Sequence, residues 1–508
     1  MTKRLLLPAI LLLVLSVAAL ADPISPGKDT LYTSTKDVRA MVAAPDGSLW
    51  VATTGGVLRR ARDGKWRKFM QMDGLPSCEA YDIRLDGDRI DVVLPNADAT
   101  WNNGKWTSKP AHHEDYYAGQ QSHTMDFKGK DYRATFGRIE VKESGVWREI
   151  SLPEFKGWDV STMLQMGDQL LVATGGDGIW SSNDGQTWNR NAVGLPAEAK
   201  DISTMVAVGG KLWVGTSAQG IWEYDGKAWK QHVQPDEPCG SDCKAMRMFK
   251  GRLCVSTSDR MAILTPSGWE SLPDSMNSYW MPRSMAEFRD SLYALADVGS
   301  VGRYDGKQWT SEALDVTRGH IGAIAADATR IYAGQWGGWS EWDGKTWSDR
   351  LRNPSMQGHQ VACLLPDGNT LWVSVQGLGL AEVNETTGTI KWHDERVGLP
   401  DDWVTCLRKV SGRLYAGTFY NGLAYYEGGK WTVAPKLKTE RINDIVPDGK
   451  GGVLVATVSG VWRFADGKMS RLFSKPNSPD REANCLCVAD DGIWIGTRTG
   501  IFFAAGKP

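Results

Sequence analysis

The stretch DISTMVAVGGKLWVGTSAQGIWEYDGKAWKQ, residues 201–231, reads as four short strands joined by glycine-containing turns. Ile202–Ala207 has strand-compatible composition and is closed by Gly209-Gly210. Leu212–Thr216 is a second strand, closed by Ala218-Gln219-Gly220. Ile221–Tyr224 alternates apolar and polar residues, Asp225-Gly226-Lys227 supplies a hairpin turn, and Trp229 opens a fourth strand. Strands at this spacing with such turns indicate antiparallel β structure and not βαβ units. No segment of useful length places apolar residues at helical period.

Working outward, the unit recurs. Its fourth-strand anchor returns as Trp66, Trp106, Trp147, Trp188, Trp229, Trp269, Trp309, Trp347, Trp392, Trp431 and finally Met469, at spacings of 38 to 45 residues. A period near 40 with four strands per repeat predicts an all-β fold, a β-propeller. Ten of the 24 Trp are thereby assigned to packing instead of to an aromatic cleft. Twelve second strands open at Leu49, Ile90, Asp131, Leu170, Leu212, Leu253, Leu292, Ile331, Leu371, Leu414, Val453 and Ile493. The fourth position of that strand is Ala, Gly or Ser in all but two repeats, where Val93 and Leu295 stand. A small residue there is expected to let neighbouring blades approach closely.

The last repeat ends after its third strand, Ile501-Phe502-Phe503, while Asp29–Thr33 precedes the first repeat as an orphan strand. The N-terminal strand should therefore complete the C-terminal blade and remove an exposed edge. Twelve four-stranded repeats of about 40 residues exceed the four to eight blades usual in one ring. Two tandem six-bladed propellers, residues 22–262 and 263–508, are the first expectation. Seven plus five blades and a single twelve-bladed ring are the alternatives.

Three repeats carry a fuller signature. Gly194-Leu195-Pro196, Leu212–Thr216, Gly220-Ile221 and Tyr224-Asp225-Gly226 follow in order. The order recurs from Gly398-Leu399-Pro400 to Tyr426, and starts again at Gly74-Leu75-Pro76. This resembles the two-component-regulator propeller repeat of periplasmic ligand-binding sensor domains in bacterial hybrid kinases. The resemblance implies a sensor-type propeller over essentially the whole mature chain. Those sensors continue into a membrane span and a kinase, whereas this sequence ends at Pro508, so signalling is expected to pass through a separate partner. Single stretches resemble other repeat families: Ser181–Trp188 the Asp-box hairpin, with Asn183 at the usual Asp, and Asn384–Trp392 a quinoprotein docking repeat. Both are read as turn solutions.

Residues 1–21 have the form of a secretory signal peptide: Lys3 and Arg4, an apolar run from Leu5 to Leu15, then Ala19-Leu20-Ala21. No other apolar stretch approaches the length of a bilayer span. A periplasmic or secreted location follows, with no membrane span after cleavage. The net charge of −2 excludes a basic nucleic-acid surface, and the short Arg59-Arg60-Ala61-Arg62 run reads as a solvated blade edge. Eight Cys in an oxidising compartment invite disulfides, and Cys239 with Cys243, in a long loop between repeats, is the candidate pair. Cys363, Cys406 and Cys485 occupy one equivalent position on innermost strands and read as apolar packing.

Function is sought on the fourth-to-first and second-to-third strand loops, which ring a propeller's channel mouth. Trp336 and Trp339, with Phe419 and Tyr420, break the small-polar pattern of their sister loops. Trp280 and Trp403 add aromatics in inter-blade loops. Exposed aromatics beside Gly stack on sugar faces or anchor a protein. These six are the candidate ligand-binding residues. The His112–Tyr117 segment with His123 lacks metal-ligand spacing, so no metal and no cofactor are expected. Nucleophile elbow, phosphate loop and zinc helix motifs are all missing. The reading is a non-enzymatic recognition protein for a glycan or a protein partner. The alternative is a glycan lyase or hydrolase with acid/base residues such as His320, His359, Asp401 and Asp402.

Overall fold

Twelve four-stranded antiparallel sheets make up the computed structural model. It describes residues 26–506 apart from 114–122, 136–137, 153, 158, 191–192, 273–283, 296–299, 314–320, 351–353 and 475–477. Blades one to eleven are consecutive: residues 38–69, 82–110, 123–150, 159–190, 202–232, 243–271, 285–313, 323–350, 361–393, 404–433 and 442–471. Blade twelve joins residues 483–505 to Thr30–Tyr32, with Thr30 opposite Phe503 and Tyr32 opposite Ile501. The orphan strand does complete the last blade.

The Asp-Gly hairpins form for a local reason. The Asp225 carboxylate accepts the backbone N–H groups of Lys227 and Ala228, both at 2.9 Å. Asp305 and Asp343 repeat the arrangement. These donors hold all three carboxyls below the usual carboxylate range. In the Asp-box-like turn the same role falls to Asp184, which accepts from Gln186 and Thr187, and not to Asn183. The Arg59 and Arg60 guanidiniums do not simply face solvent; they lie over Trp50 and Trp213, at 5.3 and 4.9 Å.

Blades meet along a repeated seam with two parts. Where the small residue of the second strand is Gly, it faces the first strand of a neighbouring blade. A Cβ placed on Gly334 of blade eight would lie 2.5 Å from Val361 of blade nine, and one on Gly417 of blade ten 2.5 Å from Ile442 of blade eleven. The second part is a bulge near the start of the first strand, where the register shifts by one residue. The bulged residue reaches the neighbouring blade. Thr405 Oγ1 donates to Ile442 O at 2.5 Å, and Asn443 Nδ2 donates to Ala483 O at 2.7 Å.

The same two contacts identify which blades are neighbours across long gaps in sequence. Gly215 of blade five faces Val38 of blade one, 2.4 Å from a Cβ, and Ser203 Oγ donates to Val38 O at 2.5 Å. Gly496 of blade twelve faces Cys243 of blade six, and Asn484 Nδ2 donates to Cys243 O at 3.0 Å. Apolar clusters cross both junctions, joining Val38, Val51 and Trp213 in one, Val255, Leu264, Trp494 and Phe503 in the other. From blade six to blade twelve, each first strand packs on the next and the last returns to the first. We infer a grouping of five blades, one to five, and seven, six to twelve. The expectations from sequence are six and six divided at 262/263, then seven plus five, then a single ring of twelve. The sixth repeat packs on the twelfth, across the junction where a six-blade ring would have returned it to the first.

Two segments link the groups and lie side by side. Residues 33–37 run from the closing strand to blade one, and residues 233–242 run from blade five to blade six. Glu237, almost fully buried, accepts from Thr35 N at 2.9 Å and from Lys68 Nζ at 2.7 Å, while Ser241 Oγ bonds both Ser34 N and Ser34 O.

Two expectations follow. Deleting residues 26–32 removes Leu31, which is 6% exposed, and Tyr32, packed on Trp269 and Trp494. The loss is about 3 kcal/mol from buried apolar surface, and it should fall on the seven-blade unit, while residues 36–236 expressed alone melt cooperatively. Calorimetry of the truncated chain and of the fragment checks both. In the anchor ladder, Trp431 is 4% exposed and donates from Nε1 to His393 Nδ1 at 3.2 Å. Trp431→Ala should cost about 3–5 kcal/mol in chemical denaturation.

Candidate functional site

The first strands of blades six to twelve line one channel of about 770 Å³. Six residues that pair with the small second-strand position line it: Ala245, Ala323, Cys363, Cys406, Asp444 and Cys485. The three Cys pack in or against apolar clusters, as expected, and also border the channel. Burial pushes the Cys363 thiol up to about 12 and raises Cys406 and Cys485 as well, so these thiols are neutral. Asp444 accepts from Ile445 N at 2.8 Å and from Leu486 N at 2.9 Å. Burial raises its carboxyl above the usual range, against the pull of the Arg408 guanidinium 4.0 Å away.

At the mouth, second-to-third strand loops and the starts of first strands converge, bringing together Trp336, Gln360, Gln376, Trp403 and Phe419. Trp403 and Phe419 stack face to face, with centroids 4.0 Å apart and planes inclined by 11°. The Arg441 guanidinium lies over the Phe419 ring, 5.0 Å from its centroid. Tyr420 sets its edge against both rings and is 60% exposed. Trp336 is 50% exposed. The Gln360 and Gln376 side chains lie in the same lining, and Gln376 N donates to Gln360 O.

Asp401 builds this platform. One carboxylate oxygen accepts from Trp403 N at 2.9 Å and the other from Tyr420 N at 2.7 Å, fixing the two aromatic loops to each other. Asp402 accepts from Glu395 N, and its carbonyl takes Gly377 N and Gly379 N. His359 Nδ1 lies 2.9 Å from Gln376 O. The three described residues considered for acid/base chemistry therefore tie loops together.

Of the six candidate residues, Trp336, Phe419 and Trp403 line the mouth and Tyr420 stands beside it. Trp339 does not. The chain reverses at Gly337-Gly338, where φ is +81° and +155°, so Trp339 falls on the third strand and is buried with Val361 and Leu371. Trp280 and His320 lie outside the described residues. Cys239 and Cys243 are not joined: Cys239 Sγ contacts Thr257 Oγ1 and Arg260 O, whereas Cys243 Sγ turns to Cys485. His113 pairs with Asp98 at 2.8 Å, and the rest of that His-rich loop is outside the description. Among the described residues, no three His, Cys, Asp or Glu side chains are grouped to hold a metal. The sequence reading missed Asp401 as an organiser and Arg441 as the cap of the stack, since both roles depend on loops that meet only in three dimensions.

Channel and blades together define a β-propeller protein. Similar solved structures include the extracellular domain of BT4673 from B. thetaiotaomicron, assigned to a hybrid two-component system, at 16% identity. The match covers 92% of this chain and 70% of that one with a TM-score of 0.43. PorZ of the Porphyromonas gingivalis type-IX secretion system matches at 13% identity over 94% and 87% of the two chains, TM-score 0.38. A GH74 xyloglucanase from Xanthomonas campestris matches at 16% identity over 92% and 82%, TM-score 0.50. The likeness is one of fold. No family model and no curated protein matches the chain. Among the described residues no helix is long and apolar enough to cross a membrane.

Removing the organiser gives a direct test. Asp401→Ala leaves two partly buried amides without an acceptor and should cost about 1 kcal/mol. It should also loosen Trp403 and Phe419, seen as a red-shifted and more quenchable tryptophan emission.

Proposed function

We propose that the protein is an exported recognition protein of the sensor type, binding a glycan or a partner protein at the mouth of the seven-blade channel. The observation that carries this reading is the aromatic platform of Trp403, Phe419 and Tyr420 facing a channel of about 770 Å³, with Trp336 exposed on the same mouth. Flat aromatic faces next to amide side chains suit the apolar faces and hydroxyls of a sugar ring, and also suit a protein side chain that needs a rigid apolar seat. Residues 1–21 support export, and the Gly-Leu-Pro repeat signature supports the sensor class. The enzymatic alternative draws less support, because His359, Asp401 and Asp402 are committed to loop contacts.

A glycan array and a pull-down on the purified chain identify the ligand class, and calorimetry then compares two variants. Trp403→Ala should weaken binding about 30-fold, as loss of a central aromatic anchor of about 2 kcal/mol does. Trp339→Ala should lower the melting temperature and leave the affinity of the folded fraction unchanged. Equal affinities for Trp403→Ala and the parent chain would remove the mouth from consideration.

A further inference from the structure

The junction that closes the seven-blade group holds two thiols in contact. Cys243, at the start of blade six, and Cys485, on the first strand of blade twelve, place their sulfurs 3.7 Å apart although 242 positions separate them in sequence. Cys243 is fully buried and Cys485 is 4% exposed. Both sulfurs sit over Gly496: a Cβ there would lie 2.5 Å from Cys485 Sγ and 2.6 Å from Cys243 Sγ. The glycine thus opens one recess occupied by the two sulfurs together. The strands that carry them are held side by side by the Asn484 bond to Cys243 O and by the surrounding cluster of Val255, Leu264, Trp494 and Phe503.

We propose that Cys243 and Cys485 form a disulfide that covalently locks the seven-blade ring where its first and last blades meet. This rests on the proposed export, which delivers the chain to a compartment where disulfides form. The sulfurs need to close from 3.7 Å to the bonded distance of about 2.05 Å. In the step itself, one cysteine thiolate attacks an oxidised dithiol carrier of the compartment, forming a mixed disulfide and expelling a carrier thiolate. The second cysteine, as thiolate, attacks the protein sulfur of that mixed disulfide and expels the other carrier sulfur. The two cysteines lose two protons and two electrons, and the carrier disulfide is reduced to its dithiol. Burial keeps the Cys485 thiol protonated in the closed ring, so exchange belongs to the open junction during folding. The remaining six cysteines stay reduced, Cys239 among them.

The test refolds the purified full chain in a glutathione redox buffer, which makes it independent of whether the native chain is exported. Thiols are then alkylated in denaturant without reductant, and the protein is digested. The expected result is an intact mass, read before alkylation, about 2 Da below the reduced chain, and then one linked peptide pair carrying Cys243 and Cys485. Reduction should lower the melting temperature by about 5–10 °C, in line with a disulfide that closes a long loop, and Cys485→Ser should melt like the reduced parent. Eight alkylated cysteines, or a Cys239–Cys243 link in place of this one, would overturn the proposal. Peptide mapping of the unsubstituted chain decides the matter even where Cys485→Ser fails to fold.

Discussion

Everything in this molecule depends on how closely two blades can approach at the small position of the second strand. Where that residue is Gly, as at 215, 334, 417 and 496, the neighbouring first strand moves into the space a Cβ would fill. The bulge on the first strand then turns a polar side chain sideways, and Ser203, Thr405, Asn443 and Asn484 each bond a carbonyl of the next blade. Close approach and lateral bond act together. The first allows dispersion contacts over the whole sheet face, and the second fixes the offset at which the faces meet. The channel is what remains where the first strands of blades six to twelve meet, and six residues of its lining pair with a small second-strand position.

The fold was legible because it is written many times. Any one strand of the unit at 201–231 is ambiguous, but a fourth-strand anchor returning from Trp66 to Met469 is not. Ring closure by the N-terminal strand was legible too, since an orphan strand at one end matched a missing one at the other. Blade grouping was not. Gly215 facing Val38 looks no different in sequence from Gly417 facing Ile442. Nothing local distinguishes a contact with the next repeat from one with a repeat four places back.

The candidate site was legible in part for a similar reason. Trp336, Phe419 and Trp403 departed from the small-polar loops around them, and the fold gathers them. Trp339 departed equally, yet a glycine pair two residues earlier returns the chain to a strand and turns the indole inward. Asp401 stood out in sequence only as a loop carboxylate fit for acid/base chemistry, and its organising role is visible only where the amides of residues 403 and 420 come together. The cysteines show the same limit. Proximity in sequence pointed to Cys239 and Cys243, while the structure pairs Cys243 with a residue from the far end of the chain.

The strand Thr30–Tyr32 belongs to the last blade, whereas the next two hundred residues build five blades of another group. In topological terms one unit is inserted inside the other, between its first strand and its remaining twenty-seven. Translation therefore releases the inserted unit whole while the surrounding one waits for its final residues. During synthesis the early strand has no partner, and the nascent chain carries an unpaired edge until Phe502 and Phe503 emerge. The connectivity completes the sequence of the inner unit first and of the outer unit last, with the paired linkers at 33–37 and 233–242 as the neck between them.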